Sequence, residues 1–397
     1  MSGSNVIRFA FNIERKYNMS GIYLHIPFCK KACYYCNFHF STSLAAKSEM
    51  VDAICKEIYL RKDYLNTMHL TSIYFGGGTP SLLSGEDFDK IFSSLAQYFT
   101  WDIITEITLE ANPDDIQPTH LDIWKKMGVN RLSIGIQSFH DEDLIWMNRA
   151  HTAKEATQSI ILSQDAGFNN LTIDLIYGSP TTSHGMWQHN LSKALEFDIP
   201  HISSYCLTVE EKTVLAHHIK KGLTTHPDPQ KSNEQFATLV ETLTNQNYDH
   251  YEISNFCKPG QYAIHNTNYW KGLPYLGLGP SAHSYDGSSR SWNVANNAKY
   301  MHSIGDDTLP IETEFLDTST KYNEYIMTGL RTQWGVNKAD ILKFGDQYLV
   351  HFDQSVSLFL TNGMVSRSQN TYTLTAEGKY FADKIAMELF YVTDGDD

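Results

Sequence analysis

The sequence predicts an α/β fold: a partial (β/α)6 barrel of the TIM type with a small α-rich, winged-helix-like C-terminal domain. Three observations carry that reading. Short β-branched and apolar runs alternate with amphipathic stretches of helical length through the first two-thirds of the 397-residue chain. The connections between runs are long enough to hold a helix, which makes neighbouring strands parallel and the crossovers right-handed. Polar residues recur where successive strands end, the rim at which such barrels build their sites. Six units fall short of the eight of a closed barrel, so an open or partial barrel is the geometric reading, with a doubly wound sheet as the alternative.

Residues 1–18 are a polar, weakly patterned lead, expected to be a dispensable extension because the strand and helix pattern begins only after Met19. From there apolar alternation predicts strands at 22–26, 71–75, 104–110, 130–137, 170–177 and 201–207. Helical periodicity predicts helices at 44–66, 84–98, 117–127, 153–166, 185–197 and 231–246 between and after them. Residues 19–250 therefore make the barrel. Residues 251–309, dense in Gly, Pro, Asn, Tyr and His and weak in periodicity, are expected to be a loop-rich lid or ligand segment. Residues 310–397 form the C-terminal domain, with helices at 313–332, 337–344, 347–360 and 375–390 and a hairpin around Gly363 and Asn370-Thr371.

Composition narrows the function classes. Lys and Arg number 31 against 45 Asp and Glu, and the resulting net charge of −14 repels a phosphate backbone, so general nucleic-acid binding is excluded. No apolar run approaches the roughly 18 residues that span a bilayer, and Arg8 interrupts the apolar start, so a transmembrane segment and a secretory signal are not expected. The expected compartment is the cytoplasm. Aromatic residues make up 13% of the chain, enough to serve a flat organic ligand as well as a core.

Of six cysteines, three crowd into Cys29-Lys-Lys-Ala-Cys33-Tyr-Tyr-Cys36 just after the first predicted strand, while Cys55, Cys206 and Cys257 stand alone. Such a distribution is not a disulfide framework. Three thiolates are one short of a tetrahedral zinc site, for which His25 or His39 could supply the fourth donor. They are also one short of the usual [4Fe–4S] set, which leaves one iron open to a small chelating molecule. Cys206 and Cys257 are expected to be core thiols.

The spacing of three and then two residues after a barrel's first strand resembles the radical S-adenosylmethionine (SAM) superfamily. That resemblance implies a [4Fe–4S] cluster whose unique iron is chelated by SAM's amino and carboxylate groups, and an electron that cleaves the sulfonium to a 5′-deoxyadenosyl radical. The other strand ends are consistent with it. Gly76-Gly77-Gly78-Thr79-Pro80-Ser81 follows the second strand, Glu110 ends the third, Gln137 the fourth, and Asp174 lies on the fifth. Any one of these is more commonly a cap or turn; their recurrence at one rim is the argument.

More specifically, Tyr23-Leu-His25-Ile-Pro27-Phe28-Cys29, the glycine run, Asn130-Arg131-Leu-Ser133-Ile-Gly135-Ile-Gln137, Asn148-Arg149 and Asp174-Leu-Ile-Tyr177-Gly178 are similar to the oxygen-independent coproporphyrinogen III oxidase family, from about residue 20 to the C-terminus. The resemblance implies that Cys29, Cys33 and Cys36 hold the cluster. It likewise implies SAM contacts from Tyr23, Gly77, Gly78, Thr79, Glu110, Gln137, Arg149 and Asp174. Physically, Glu110 and Asp174 can accept from SAM's amine or ribose hydroxyls, and Arg149 can pair with its carboxylate.

Two departures separate the chain from the family's oxidase branch. A thiol two positions after the third cluster ligand is replaced by Phe38, and the longer N-terminal segment that reaches the oxidase active site has no counterpart in residues 1–18. Both favour the family's heme-chaperone branch, as does His265-Asn266-Thr-Asn-Tyr269-Trp270, which looks like that branch's own element. Imidazole is a good axial donor to heme iron, and Tyr269 and Trp270 can flank a macrocycle. A plain loop histidine is the ordinary alternative. The resemblance implies heme as cargo, heme-requiring respiratory proteins as acceptors with at most peripheral membrane association, and no coproporphyrinogen decarboxylation. An active oxidase is the rival reading, and a zinc-stabilised binding module a third.

Overall fold

The structure, a computed structural model, describes residues 19–392; the expected extension at residues 1–18 lies outside the described residues. Strands β1 (Gly21–Ile26), β2 (Ser72–Gly77), β3 (Glu106–Ala111), β4 (Arg131–Gln137), β5 (Leu171–Tyr177) and β6 (His201–Cys206) pair in sequence order, all parallel. Alternation along them explains both faces. Ile22, Leu24, Ile73, Phe75, Ile107, Leu109, Leu132 and Ile134 are fully or nearly fully buried in the main hydrophobic core. The residues between them, including Tyr23, Tyr74, Glu110, Ser133 and Asp174, line the barrel's cavities instead.

Helices Lys47–Leu60, Gly85–Leu95, Pro118–Lys126, Ala153–Asp165, His184–Glu196 and Pro229–Asn245 cover the strands close to the expected positions. Capping boxes at Ser84 with Asp87 and Thr152 with Glu155 start two of them. The first ends at Leu60, short of 66, for a tertiary reason. Arg61 is turned inward, donating to Gly277 O (3.1 Å) and Ser291 Oγ (3.2 Å) beside the fully buried Glu57.

Residues 251–309 differ from the loop-rich expectation. β7 (Asp249–Glu252) and β8 (Asn255–Cys257) extend the sheet beyond β6. On the other edge β9 (Tyr275–Leu278) joins β1 in parallel, and β10 (His283–Tyr285), β11 (Ser289–Asn293) and β12 (Ile311–Phe315) continue antiparallel. The result is one twelve-stranded sheet. The strands are short, of three to five residues, and on the β9–β11 side a buried carboxylate ties the connections together. Glu57 accepts from Gly279 N–H (2.8 Å), Asn293 Nδ2 (2.7 Å) and Tyr300 Oη (2.6 Å). β12 likewise replaces the expected start of a helix at 313, which begins at Thr318 under an Asp317 cap.

The C-terminal unit has its own core around Tyr322, Phe352 and Tyr372. Helices Thr318–Leu330, Lys338–Ile341, Asp346–Thr361 and Ala382–Glu388 surround β13 (Val336–Asn337), β14 (Val365–Ser368) and β15 (Thr371–Leu374), paired in the order β13-β15-β14. The β14–β15 hairpin is the expected one. Among the described residues no helix is long and apolar enough to cross a membrane.

Candidate functional site

Two adjoining cavities occupy the barrel. The first, of about 430 Å³, lies at the carboxyl ends of the strands and is lined by Cys29, Cys33 and Cys36. Gly77, Gly78, Thr79, Glu110, Gln137, Arg149 and Asp174 share it, so all but two of the residues singled out from the sequence converge there. Tyr23 and His265 instead line the second cavity, of about 610 Å³. Glu110, Phe38 and Tyr205 belong to both.

The thiol loop is fixed from outside itself: Cys29 N–H donates to Ser41 O (3.0 Å), Tyr34 N–H to Met147 O (3.1 Å) and Asn148 Nδ2 to Ala32 O (2.7 Å). Burial pushes the Cys29 thiol up to about 11, with Cys36 and Cys33 adding to the effect, so a bound cation is needed to hold it as thiolate at neutral pH. The donor set does not suit a zinc ion. Among the described residues no three His, Cys, Asp or Glu side chains converge as a single-metal site. Neither His25 nor His39 lines the thiol cavity: His25 Nε2 is bonded to His39 O (2.9 Å) and His39 Nε2 to Asn297 Oδ1 (2.7 Å), away from the three thiols.

Arg149 is the cavity's buried cation. Its Nη1 donates to Cys33 Sγ (3.3 Å) and Tyr35 Oη (3.4 Å), and its Nη2 to Asn112 Oδ1 (2.7 Å) and Gly135 O (2.9 Å). Its Nε is buried without a partner among the described residues. An orphaned guanidinium donor beside three thiols fits a site completed by an anionic ligand such as an amino acid carboxylate. The glycines answer to their own chain as well as to a ligand: a Cβ on Gly78 would lie 2.6 Å from Phe28 O, and Gly77 sits at φ +103° against the His25 ring. Gln137 reaches the cavity because the β4–β5 register shifts between Ile134 and Gln137, where Gln137 adopts φ +63°.

Burial raises Glu110 to about 7, with Asp174 adding to it, although Tyr74 Oη donates to Glu110 Oε1 at 2.7 Å. Burial likewise raises Asp174 to about 6 against hydrogen bonds from Ser203 and Ser133. A raised carboxyl is neutral in the fold where it would be ionised in the unfolded chain, so stability falls as pH rises from the ordinary carboxylate range to about 7. Glu110→Gln is therefore expected to stabilise the ligand-free chain at pH 8, by on the order of 3 kcal/mol, and to change little at pH 4. Melting curves at the two pH values check this; equal shifts at both would contradict it.

The second cavity lies in the seam where the barrel does not close. Glu252 and Asn255 line it from one sheet arm, and Tyr275 and His283 from the other. His265 stands on helix Ile264–Trp270, within the expected lid or ligand segment, which as a lid would cover the carboxyl ends of the strands. The structure puts it at the opposite end. Glu106, the first residue of β3, accepts the backbone N–H groups of Ile264 and His265 (both 2.9 Å). Ser72, the first residue of β2, bonds His265 Nδ1 (2.9 Å), and Asn268 Nδ2 donates to Thr71 Oγ1 (3.3 Å). Buried carboxylate and hydroxyl groups at strand starts thus hold the helix under the barrel. The His265 ring packs on Tyr74 (5.0 Å), and Tyr23 packs on Tyr74 (6.0 Å) while its hydroxyl meets His25 Nδ1 (3.2 Å). Burial lowers His265 to about 4, leaving a neutral ring whose Nε2 has no partner among the described residues.

Sequence reasoning overlooked Ser72, Tyr74 and Glu106, which set His265. Ser72, Tyr74 and Gly76 alternate with Ile73 and Phe75, and that period was the available signal. Cys206, expected to be a core thiol, instead lines the thiol cavity at the end of β6. Strand alternation at an exposed strand end, rather than apolarity, decides its face. Cys257 is buried as expected.

The sequence pattern of the radical SAM superfamily matches residues 23–193, and that of the HemN C-terminal domain residues 316–381. The heme chaperone HemW of Bacillus subtilis is 32% identical over 376 residues, spanning 92% of this chain and 98% of that protein. The heme chaperone HemW of Synechocystis is 32% identical over 401 residues, spanning 94% and 97%. Coproporphyrinogen III oxidase (HemN) from Escherichia coli superposes with a TM-score of 0.81 over 94% of this chain and 90% of that one, at 22% identity. That likeness establishes the barrel and its C-terminal domain as the shared fold.

Proposed function

Since this chain belongs to the heme chaperone HemW family of radical SAM proteins, we propose that it binds heme in the barrel seam and delivers it to heme-requiring respiratory proteins from the cytoplasm. The observation that carries the reading is His265: its Nδ1 is tethered by Ser72 and its Nε2 is unpartnered among the described residues, in a side chain lining an aromatic cavity. With Nδ1–H donating to Ser72 Oγ, the Nε2 lone pair is available to iron, and the second-sphere bond fixes the ring. Tyr269 and Trp270 border the same cavity and offer apolar faces to a macrocycle.

In the adjoining cavity, Cys29, Cys33 and Cys36 would hold the [4Fe–4S] cluster that belongs to the superfamily, and the rest of that lining would hold SAM beside it. Once reduced by an external one-electron donor, such a cluster would supply the electron that cleaves the sulfonium of SAM. Arg149 would pair with SAM's carboxylate through the donor it leaves unsatisfied. Glu110 and Asp174 would accept from the amine or ribose hydroxyls, Gly77, Gly78 and Thr79 would offer backbone and hydroxyl groups, and Gln137 would add an amide. Tyr23, which lines the other cavity, is reassigned to the heme side.

The rival reading, oxidative decarboxylation of coproporphyrinogen III, lacks the thiol for which Phe38 substitutes. Phe38 is 66% exposed and lines both cavities, so no proton donor stands between them at that position. Anaerobically reconstituted protein given coproporphyrinogen III, SAM and a reductant is expected to form no protoporphyrinogen IX. Multiple turnovers to that product would overturn the proposal.

A further inference from the structure

Resting on the reading of the barrel seam as the heme site, we infer that a third cavity receives the carboxylate edge of the tetrapyrrole, with Lys321 as the cation that recognises it. This cavity, of about 810 Å³, lies between the β9–β11 arm and helix Thr318–Leu330 of the C-terminal domain. It shares Tyr269, Trp270 and Tyr275 with the heme cavity. A flat ligand ligated at His265 can therefore run along these three rings from one cavity into the next. A heme has its metal at the centre and both propionates on one edge, so the two cavities need different chemistry, and they have it.

The walls of the heme cavity disfavour carboxylates. Its acidic groups are Glu110 and Glu252, and the two terminal nitrogens of its one arginine, Arg331, are held by Glu252 (3.4 Å) and Asp383 (2.6 Å), which leaves only the buried Nε without a partner among the described residues. The third cavity is the reverse, with Lys271, Arg290 and Lys321 against Glu324 and Asp340. Glu324 is paired with Arg290, and Asp340 with Lys343 and the Tyr325 hydroxyl. Lys321 is half-buried and has no side-chain partner among the described residues. In a chain of net charge −14, an uncommitted lysine at the end of an aromatic track is a local exception that suits a carboxylate.

The test is a heme titration of the cluster-loaded full chain, followed by visible absorption, for wild type, Lys321→Glu, Lys321→Arg and the distant exposed control Lys154→Glu. Each is also titrated with heme dimethyl ester, which keeps the macrocycle and iron and lacks the carboxylates. Lys321→Glu is expected to weaken heme binding about fivefold or more while Lys321→Arg and Lys154→Glu leave it within about twofold. The ester is expected to bind wild type and Lys321→Glu alike. Equal heme affinity in wild type and Lys321→Glu, or an equal loss with the ester, would overturn this inference alone. A wild-type chain that bound neither ligand would overturn the heme reading and this inference with it.

Discussion

Replacing any one of Cys29, Cys33 or Cys36 by Ala is expected to remove the brown iron–sulfur chromophore and its iron and sulfide altogether. The three thiols line one cavity, and neither His25 nor His39 lines it to replace a lost third ligand of the cubane. Cys55→Ala and Cys257→Ala should leave the chromophore intact, since one packs against the core from its helix and the other is buried in β8. Cys206→Ala is the sharper control, because Cys206 lines the same cavity. Its thiol is turned aside, bonded to Ser232 and the Tyr177 hydroxyl with Sγ 3.9 Å from Leu207 O, so the chromophore should survive. Loss of the cluster in Cys206→Ala would mean four thiol ligands and no open iron for SAM. Iron and sulfide assays with the visible spectrum of anaerobically purified variants decide between these outcomes.

His265→Ala is expected to weaken heme binding by about tenfold or more and to shift the absorption of whatever heme remains, with cluster content unchanged. The ring lies at the strand-start end of the barrel, away from the thiols, and the backbone of its helix is held by Glu106, so the substitution removes a donor without removing the scaffold. Ser72→Ala is expected to give an intermediate loss, because it frees the ring without deleting the Nε2 donor. The exposed His217→Ala should bind heme as wild type does. Heme affinity and spectrum unchanged in His265→Ala would reduce this residue to a plug in the barrel floor, packed on Tyr74 and serving only the fold.

The parallel core of the barrel was legible because each of its strands reports a period: Ile22, Leu24 and Ile26 against Tyr23 and His25 is enough to place one face in the core and the other in the barrel. The cavity residues were legible for the same reason: Glu110 and Gln137 fall at or next to strand ends, and Asp174, in the middle of β5, faces the cavity by alternation with Ile173 and Leu175. Residues 251–309 were not. Strands such as Tyr275–Leu278 and His283–Tyr285 are too short to show a period, and Gly279 and Asn293 on either side of the hairpin are tied to Glu57, more than two hundred residues earlier in the chain. The position of His265 was hidden by the same kind of contact. Nothing in His265-Asn266-Thr-Asn-Tyr269-Trp270 says that Glu106 and Ser72, at the starts of two remote strands, will draw the helix beneath the barrel. Side-chain direction along a strand is local and readable; the partner of a buried carboxylate is not.

Transfer of bound heme tests the account most directly. The cluster-loaded chain, charged with one equivalent of heme and freed of excess, is mixed with a heme-depleted respiratory cytochrome, and the acceptor's spectrum and activity are followed with time. The acceptor is expected to recover its heme spectrum from the wild-type chain faster than from an equal amount of heme carried by serum albumin, and His265→Ala to lose that advantage. Heme that stays on the chain, or an acceptor reconstituted equally well by albumin and by His265→Ala, would contradict it.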